Sequence, residues 1–225
     1  MATLEPVRDG HSVTWTVERW SDVRGLEHGF GGRVGPVPAD VVTLRQVHGT
    51  TVLDVRDVVD KPPGDGLVTG SAEHMVGVWT ADCVPVLLVA PTARVAAAVH
   101  SGWRGSAAGV VEAAIALLES RWDVRSCEVA AALGPAIGGC CYEVGEDVRD
   151  ALFVRAGGLA MRCFDERGGT LRLDLRRFLE GRLRELGVTD VEIVGPCTAC
   201  RSDVLHSYRK EKSAGRQLSW IGFRE

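Results

Sequence analysis

Two apolar runs, Val84–Ala90 and Val95–Val99, stand in the middle of the chain with only Pro91-Thr92-Ala93-Arg94 between them. Each is short, rich in Val, Leu and Ala, and bounded by Pro or polar residues. That pattern predicts two buried strands joined by a turn. A hairpin lays the start of one strand beside the end of the next. Asp82-Cys83 opens the first strand and His100 closes the second, so Cys83 and His100 are expected to meet. A thiolate and an imidazole held together make a metal site or a nucleophile–base pair. The plain alternative is a buried Cys and a hydrogen-bonded core His. The motif H-S-G-W-R-G that starts at His100 favours a site, because it sets two glycines and an Arg at a strand end.

The chain has 225 residues, enough for one sizeable core. No repeat, low-complexity tract or linker divides it, so 1–225 reads as a single domain. Net charge is −4, and no basic stripe appears, which excludes an electrostatic case for nucleic acid. No apolar run approaches a membrane span, and the first ten residues hold no hydrophobic signal region. The expectation is therefore a cytoplasmic protein without membrane association. Its seven cysteines are then expected as thiols or metal ligands rather than disulfides.

Around the hairpin, residues 11–19 alternate as a half-exposed strand, and H-G-F-G-G-R-V-G-P-V-P (28–38) reads as a loop. Val41–Leu44, Thr50–Val55, Leu67–Thr69 and Met75–Trp79 are strand-like, and K-P-P-G-D-G (61–66) is turn chemistry. Helical periodicity runs over Ser106–Trp122 and Glu146–Arg155. It returns after Asp174, a candidate N-cap, and ends near Gly187. Glu128–Leu133, Leu171–Leu173 and Val191–Val194 are further strands, and G-P-A-I-G-G-C-C-Y-E-V-G (134–145) is a glycine loop. Many strands with three helices predict an α+β fold with mixed sheets.

His48, in R-Q-V-H-G, also precedes a glycine at a strand end. With Cys83 and His100 it would complete a three-ligand catalytic zinc site, which leaves one position open. Cys197 and Cys200 form a C-x-x-C, but with no second such pair they read as structural. Cys140-Cys141 reads as small residues packed in a tight loop, and Cys127 and Cys163 as core or semi-buried thiols. His11, His28, His74 and His206 have no partner pattern. Arg104 precedes the helix expected near Ser106, where free N–H groups and a guanidinium suit an anion. Arg45, Arg33 and Arg209 are candidates to join it.

Taken together, T-L-R-Q-V-H-G, D-G-L-V-T, T-A-D-C-V-P-V-L-L, V-H-S-G-W-R-G, G-P-A-I-G-G-C-C-Y-E-V-G and C-T-A-C followed by S-Y-R resemble the YfiH family, from about Gly29 to the C-terminus. That family is also labelled laccase domain, polyphenol oxidase or peptidoglycan editing factor. The resemblance implies a four-layer α/β/β/α sandwich and a zinc on His48, Cys83 and His100. It also implies phosphorolysis of adenosine, inosine and methylthioadenosine, so that purine nucleosides and phosphate are the partners, with adenosine deamination as a second activity. One departure is the segment before Arg45, where only Pro36–Thr43 remains of a longer, helix-bearing stretch.

Asp82 is the sequence-level candidate to orient a metal-bound His or to carry a proton. Three other readings compete. A copper polyphenol oxidase needs many His, often as H-x-H pairs, and the chain has six His and no such pair. A cysteine hydrolase would use Cys83 and His100 and leave His48 without a task. A non-catalytic partner in cell-wall synthesis finds no apolar groove or charge run to support it.

Overall fold

In the computed structural model the central hairpin forms as expected. Val84–Ala90 pairs antiparallel with Val95–Ser101, and the Arg94 N–H closes the turn onto the Pro91 carbonyl at 3.2 Å. Both strands are buried along their whole length, which is why they read as unbroken apolar runs. The structure describes residues 6–9, 12–212 and 215–225; His11 lies outside them.

In chain order the described strands are β1 (Val7–Asp9), β2 (Ser12–Trp15), β3 (Leu26–Gly31), β4 (Val41–Val42), β5 (Val52–Asp54), β6 (Gly66–Thr69) and β7 (Met75–Thr80). The hairpin supplies β8 and β9. Then follow β10 (Ala130–Leu133), β11 (Phe164–Arg167), β12 (Thr170–Leu173), β13 (Asp190–Ile193) and β14 (Gln217–Phe223). Helices are α1 (Trp103–Ala108), α2 (Val110–Trp122), α3 (Glu146–Ala156), α4 (Gly158–Met161), α5 (Leu175–Glu185) and α6 (Tyr208–Glu211). Two mixed six-stranded sheets result, ordered β1-β2-β3-β14-β7-β4 and β13-β10-β8-β9-β6-β5, beside the ribbon β11-β12.

Strand alternation sorts the core. On β8 and β9, Val84, Val86, Leu88, Val95, Ala97 and Val99 meet the helices, while Leu87, Val89, Ala96 and Ala98 meet the other sheet. Continuing that period of two puts Cys83 and His100 on the inter-sheet side. Large residues of the first sheet, Trp15, Phe30 and Ile221, fill the space above the alanines of the second. The helices cover the far face of the second sheet through Val110, Ile115, Leu118, Phe178 and Leu179. On the outer face of the first sheet lie Met75, Leu218 and Trp220 with Val41 and Trp79, and no helical residue belongs to that cluster. Pro36–Thr43 contributes only β4 there.

Three sequence expectations are corrected. His28–Gly31 belongs to strand β3, not to a loop, because Gly29 serves packing: a Cβ there would stand 2.6 Å from the Trp220 ring. The helix expected at Ser106 starts at Trp103 and is broken at Gly109, whose φ of 101° ends α1. Short α1, α4 and α6 come in addition to the three expected helices. The Asp174 cap is present, with its carboxylate accepting from the Arg177 N–H at 3.2 Å, and Gly187 has the expected left-handed φ of 95°.

Candidate metal centre and cleft

The centre is assembled around Asp65, a fully buried carboxylate at the start of D-G-L-V-T. R-Q-V-H-G wraps it. The N–H groups of Val47, His48 and Gly49 donate to its two oxygens, the last at 2.7 Å, and His48 takes a φ of 61° to do so. His100 Nδ1 lies 2.8 Å from the same carboxylate, and the His100 N–H donates to the Asp65 carbonyl at 2.7 Å. One buried acid thus fixes a loop from one side and a strand end from the other. Burial pushes the Asp65 pKa up, but the His100 bond and the N–H donors outweigh it and hold the carboxyl low.

That arrangement directs His100 Nε2 away from Asp65. Cys83 Sγ stands 3.8 Å from His48 Nε2, and the His48 and His100 rings meet edge-on with centroids 4.7 Å apart. One ligand atom from each of the three lies within 4.8 Å of the others. Two imidazoles and a thiolate at that spacing fit one tetrahedral ion with an open position, and the Asp65 bond orients a ligand His as metal sites require. Burial would raise the Cys83 thiol, but hydrogen bonds with His100 and His48 bring it down to about 6. Burial would lower His100, but Asp65 and Cys83 carry it up to about 9. Both shifts favour a Cys83 thiolate paired with a protonated His100. Gly102 fits closely here: a Cβ would lie 3.0 Å from both Cys83 Sγ and His48 Cδ2, so any larger residue would press on both ligand candidates.

The three residues line an open cleft of about 840 Å³ that also includes Trp79, Asp82, Ile137, Tyr142, Tyr208, Arg209 and Arg216. Asp82 does not contact the histidines by hydrogen bond. It accepts from Thr198 Oγ1 and from the Arg209 N–H, each at 2.6 Å, and the carboxylate bonded to His100 is Asp65. Burial pushes the Tyr142 phenol up to about 12, which keeps it protonated. Of the four expected anion-binding arginines, Arg209 alone lines the cleft. It donates to the Glu143 carbonyl at 2.8 Å and sits over Tyr142. Arg104 stacks on Trp103 outside the lining, with its charge still felt at Tyr142. Arg33 is tied to the Ser202 carbonyl and to Glu211, and Arg45 is exposed beside Pro63. Arg216, which sequence reasoning passed over, completes the polar wall.

Other single residues fall as follows. His28 is not a loop histidine: its Nε2 accepts from the Val17 N–H at 2.9 Å, and burial lowers its pKa to about 4. Cys163 is buried as expected, Cys127 is exposed, and all seven cysteines are free. The two remaining cysteine pairs, which the sequence kept apart, converge. One sulfur from each of Cys140, Cys141, Cys197 and Cys200 lies within 4.8 Å of the others. Among the described residues no helix is long and apolar enough to cross a membrane.

A mixed-sheet α+β fold carries a candidate His₂Cys metal centre in an open cleft. The chain belongs to the family described as multi-copper polyphenol oxidoreductase laccase, whose model matches residues 26–224. It is 31% identical over 208 residues to a purine nucleoside phosphorylase of Clostridium acetobutylicum, covering 92% of this chain and 84% of that one. A purine nucleoside phosphorylase of Streptomyces coelicolor is 38% identical over 196 residues, 84% of this chain and 77% of the relative. The crystal structure of YlmD from Geobacillus stearothermophilus superposes with a TM-score of 0.86 at 26% identity over the whole of both chains. The YfiH-family resemblance of the sequence thus holds.

Proposed function

We propose that this chain is a zinc-dependent purine nucleoside phosphorylase, acting on adenosine, inosine and methylthioadenosine, with adenosine deamination as a second activity. The observation that carries the reading is the cleft itself: a His48–Cys83–His100 centre facing aromatic walls and two arginines. The names of the relatives support it. All of 1–225 acts as one domain in this reading, in the cytoplasm.

His48, Cys83 and His100 would hold the zinc, which when bound supplies Lewis acidity towards a substrate or water oxygen. The rest follows from the chain's own groups. Trp79, Tyr142 and Tyr208 give flat surfaces for a purine. In phosphorolysis a phosphate oxygen bonds to the ribose C1′ while the C1′–N9 bond breaks, and the departing base takes a proton. Arg209 and Arg216 are the cations placed to hold the phosphate. Tyr142, protonated in its buried position, is the hydrogen-bond donor available to the base. Asp82 fixes the Arg209 backbone and so the placement of its side chain.

A second reading is favoured by one observation: Asp65, His100 and Cys83 stand in the order acid, base and thiol of a cysteine hydrolase. Zinc-loaded protein incubated with adenosine and inosine, with and without phosphate, separates the readings. Phosphorolysis gives free base and ribose 1-phosphate only when phosphate is present, and chelation stops it. Base release indifferent to phosphate would sink the proposal, and activity that survives chelation would favour the thiol.

A further inference from the structure

We propose that Cys140, Cys141, Cys197 and Cys200 form a second metal site, a tetrathiolate that binds one structural zinc ion apart from the cleft centre. Cys200 Sγ lies 3.6 Å from Cys140 Sγ and 3.5 Å from Cys141 Sγ. A tetrahedral ion with Zn–S bonds of about 2.3 Å sets its sulfurs about 3.8 Å apart, whereas a disulfide needs about 2.05 Å. Those two contacts match ligands around one ion, and all four sulfurs lie within 4.8 Å of one another. A cluster of several irons would spread its cysteines further.

Local structure explains how two adjacent cysteines can share an ion. The chain curls at Cys140-Cys141, where the N–H groups of Cys141 and Tyr142 both reach the Gly138 carbonyl at 2.9 Å. Successive side chains therefore do not point to opposite sides as they would in a strand. In the other loop the Arg201 N–H returns to the Cys197 carbonyl at 3.0 Å, which brings Cys197 and Cys200 to one side as on a helical turn. The Thr198 N–H donates to the Ala136 carbonyl at 3.1 Å and holds the loops together.

Independent features outside the cysteines also point to an anionic centre. The Gly138 N–H donates to Cys197 Sγ at 3.2 Å, as backbone donors do around thiolate ligands. The half-buried Arg176 lies nearby, and the carboxylate felt at it, Asp174, makes its ion pair with Arg177 at 3.6 Å. Arg176 Nη1 donates to the Gly195 carbonyl at 2.9 Å, while its Nε, like that of Arg172, is buried without a partner. A half-buried cation whose one nearby carboxylate is shared with Arg177 favours a further counter-charge. Zinc binding displaces four thiol protons and leaves a site of net charge −2, which supplies one. The ion would lock the loop that delivers Ile137 and Tyr142 to the cleft to the loop that ties Thr198 to Asp82.

The test isolates this site with Cys83→Ser, which disables the cleft centre. Cobalt is titrated into the reduced variant, and bound metal and the visible spectrum are followed. The proposal predicts about one cobalt per chain with an intense thiolate-to-metal charge-transfer band, displaced by zinc. Adding Cys140→Ser and Cys200→Ser removes both. No bound cobalt in Cys83→Ser, or a bound ion without the thiolate band, overturns the site. Freshly purified wild-type protein should hold about two zinc ions per chain. Iron there, or a mass two hydrogens light from a disulfide among these cysteines, would overturn the zinc assignment.

Discussion

The cleft centre and the four-cysteine cluster both gather sulfur, but they are built differently. Cys83 and His100 ride on the ends of paired, buried strands, and Asp65 ties His100 to the loop of His48 through bonds shorter than 3 Å. The cysteine cluster joins two loops, with Cys140 and Cys200 exposed. A site set by sheet register and a buried acid keeps its shape without an ion. A site made of loops needs the ion to hold it. Preorganisation belongs where chemistry requires accurate placement, and a clamp suffices where only order is needed.

The strongest way to break this contrast is Asp65→Ala. It leaves His100 and three backbone N–H groups without their acceptor, and a loss of about 3–5 kcal/mol is expected in urea unfolding. A loss below about 1 kcal/mol would show that the centre is not organised by this acid. Next is the arginine pair. Arg209→Ala should slow phosphorolysis about ten- to a hundredfold, by ~1.5–3 kcal/mol, while Arg104→Ala, outside the cleft lining, should leave it nearly unchanged. The reverse order in kcat/KM would restore Arg104 as the phosphate ligand.

His28 offers a control away from both sites. Its pKa is lowered to about 4 from 6.5, so the native state keeps it neutral while the unfolded chain takes up the proton first. Its stabilisation is complete above pH 6.5 and is lost as pH falls towards 4. The loss at pH 5 amounts to about 2 kcal/mol. Urea midpoints at pH 7 and 5 should show that loss in wild type, and His28→Gln should remove it. The smallest expected effect is Gly102→Ala. The added methyl presses on Cys83 and His48, so zinc affinity should fall while stability changes by less than about 1 kcal/mol.

Much of the cleft centre was legible in the sequence because unbroken apolar runs and strand parity are local signals. Cys83 and His100 end such runs, and His48 precedes a glycine at another loop. Asp65 was hidden in a stretch that reads as turn chemistry, since only the fold shows that R-Q-V-H-G wraps it. Asp82, adjacent to Cys83, looked the better partner but points to Thr198 and Arg209. The glycines of H-G-F-G-G read as a loop because a packing glycine and a turning glycine look alike until Trp220 is placed. The cysteine cluster was missed because its halves lie on distant loops whose meeting depends on the bridge between Ala136 and Cys197.

The most direct test of the central claim follows ribose 1-phosphate formed from inosine by zinc-loaded wild type and by Cys83→Ala, as phosphate is varied, with zinc measured in the same samples. The account predicts product that rises with phosphate in wild type, and in the variant both product and cleft zinc lost while the fold is kept. Undiminished turnover by a Cys83→Ala protein with no cleft zinc, or base release without phosphate, would contradict it.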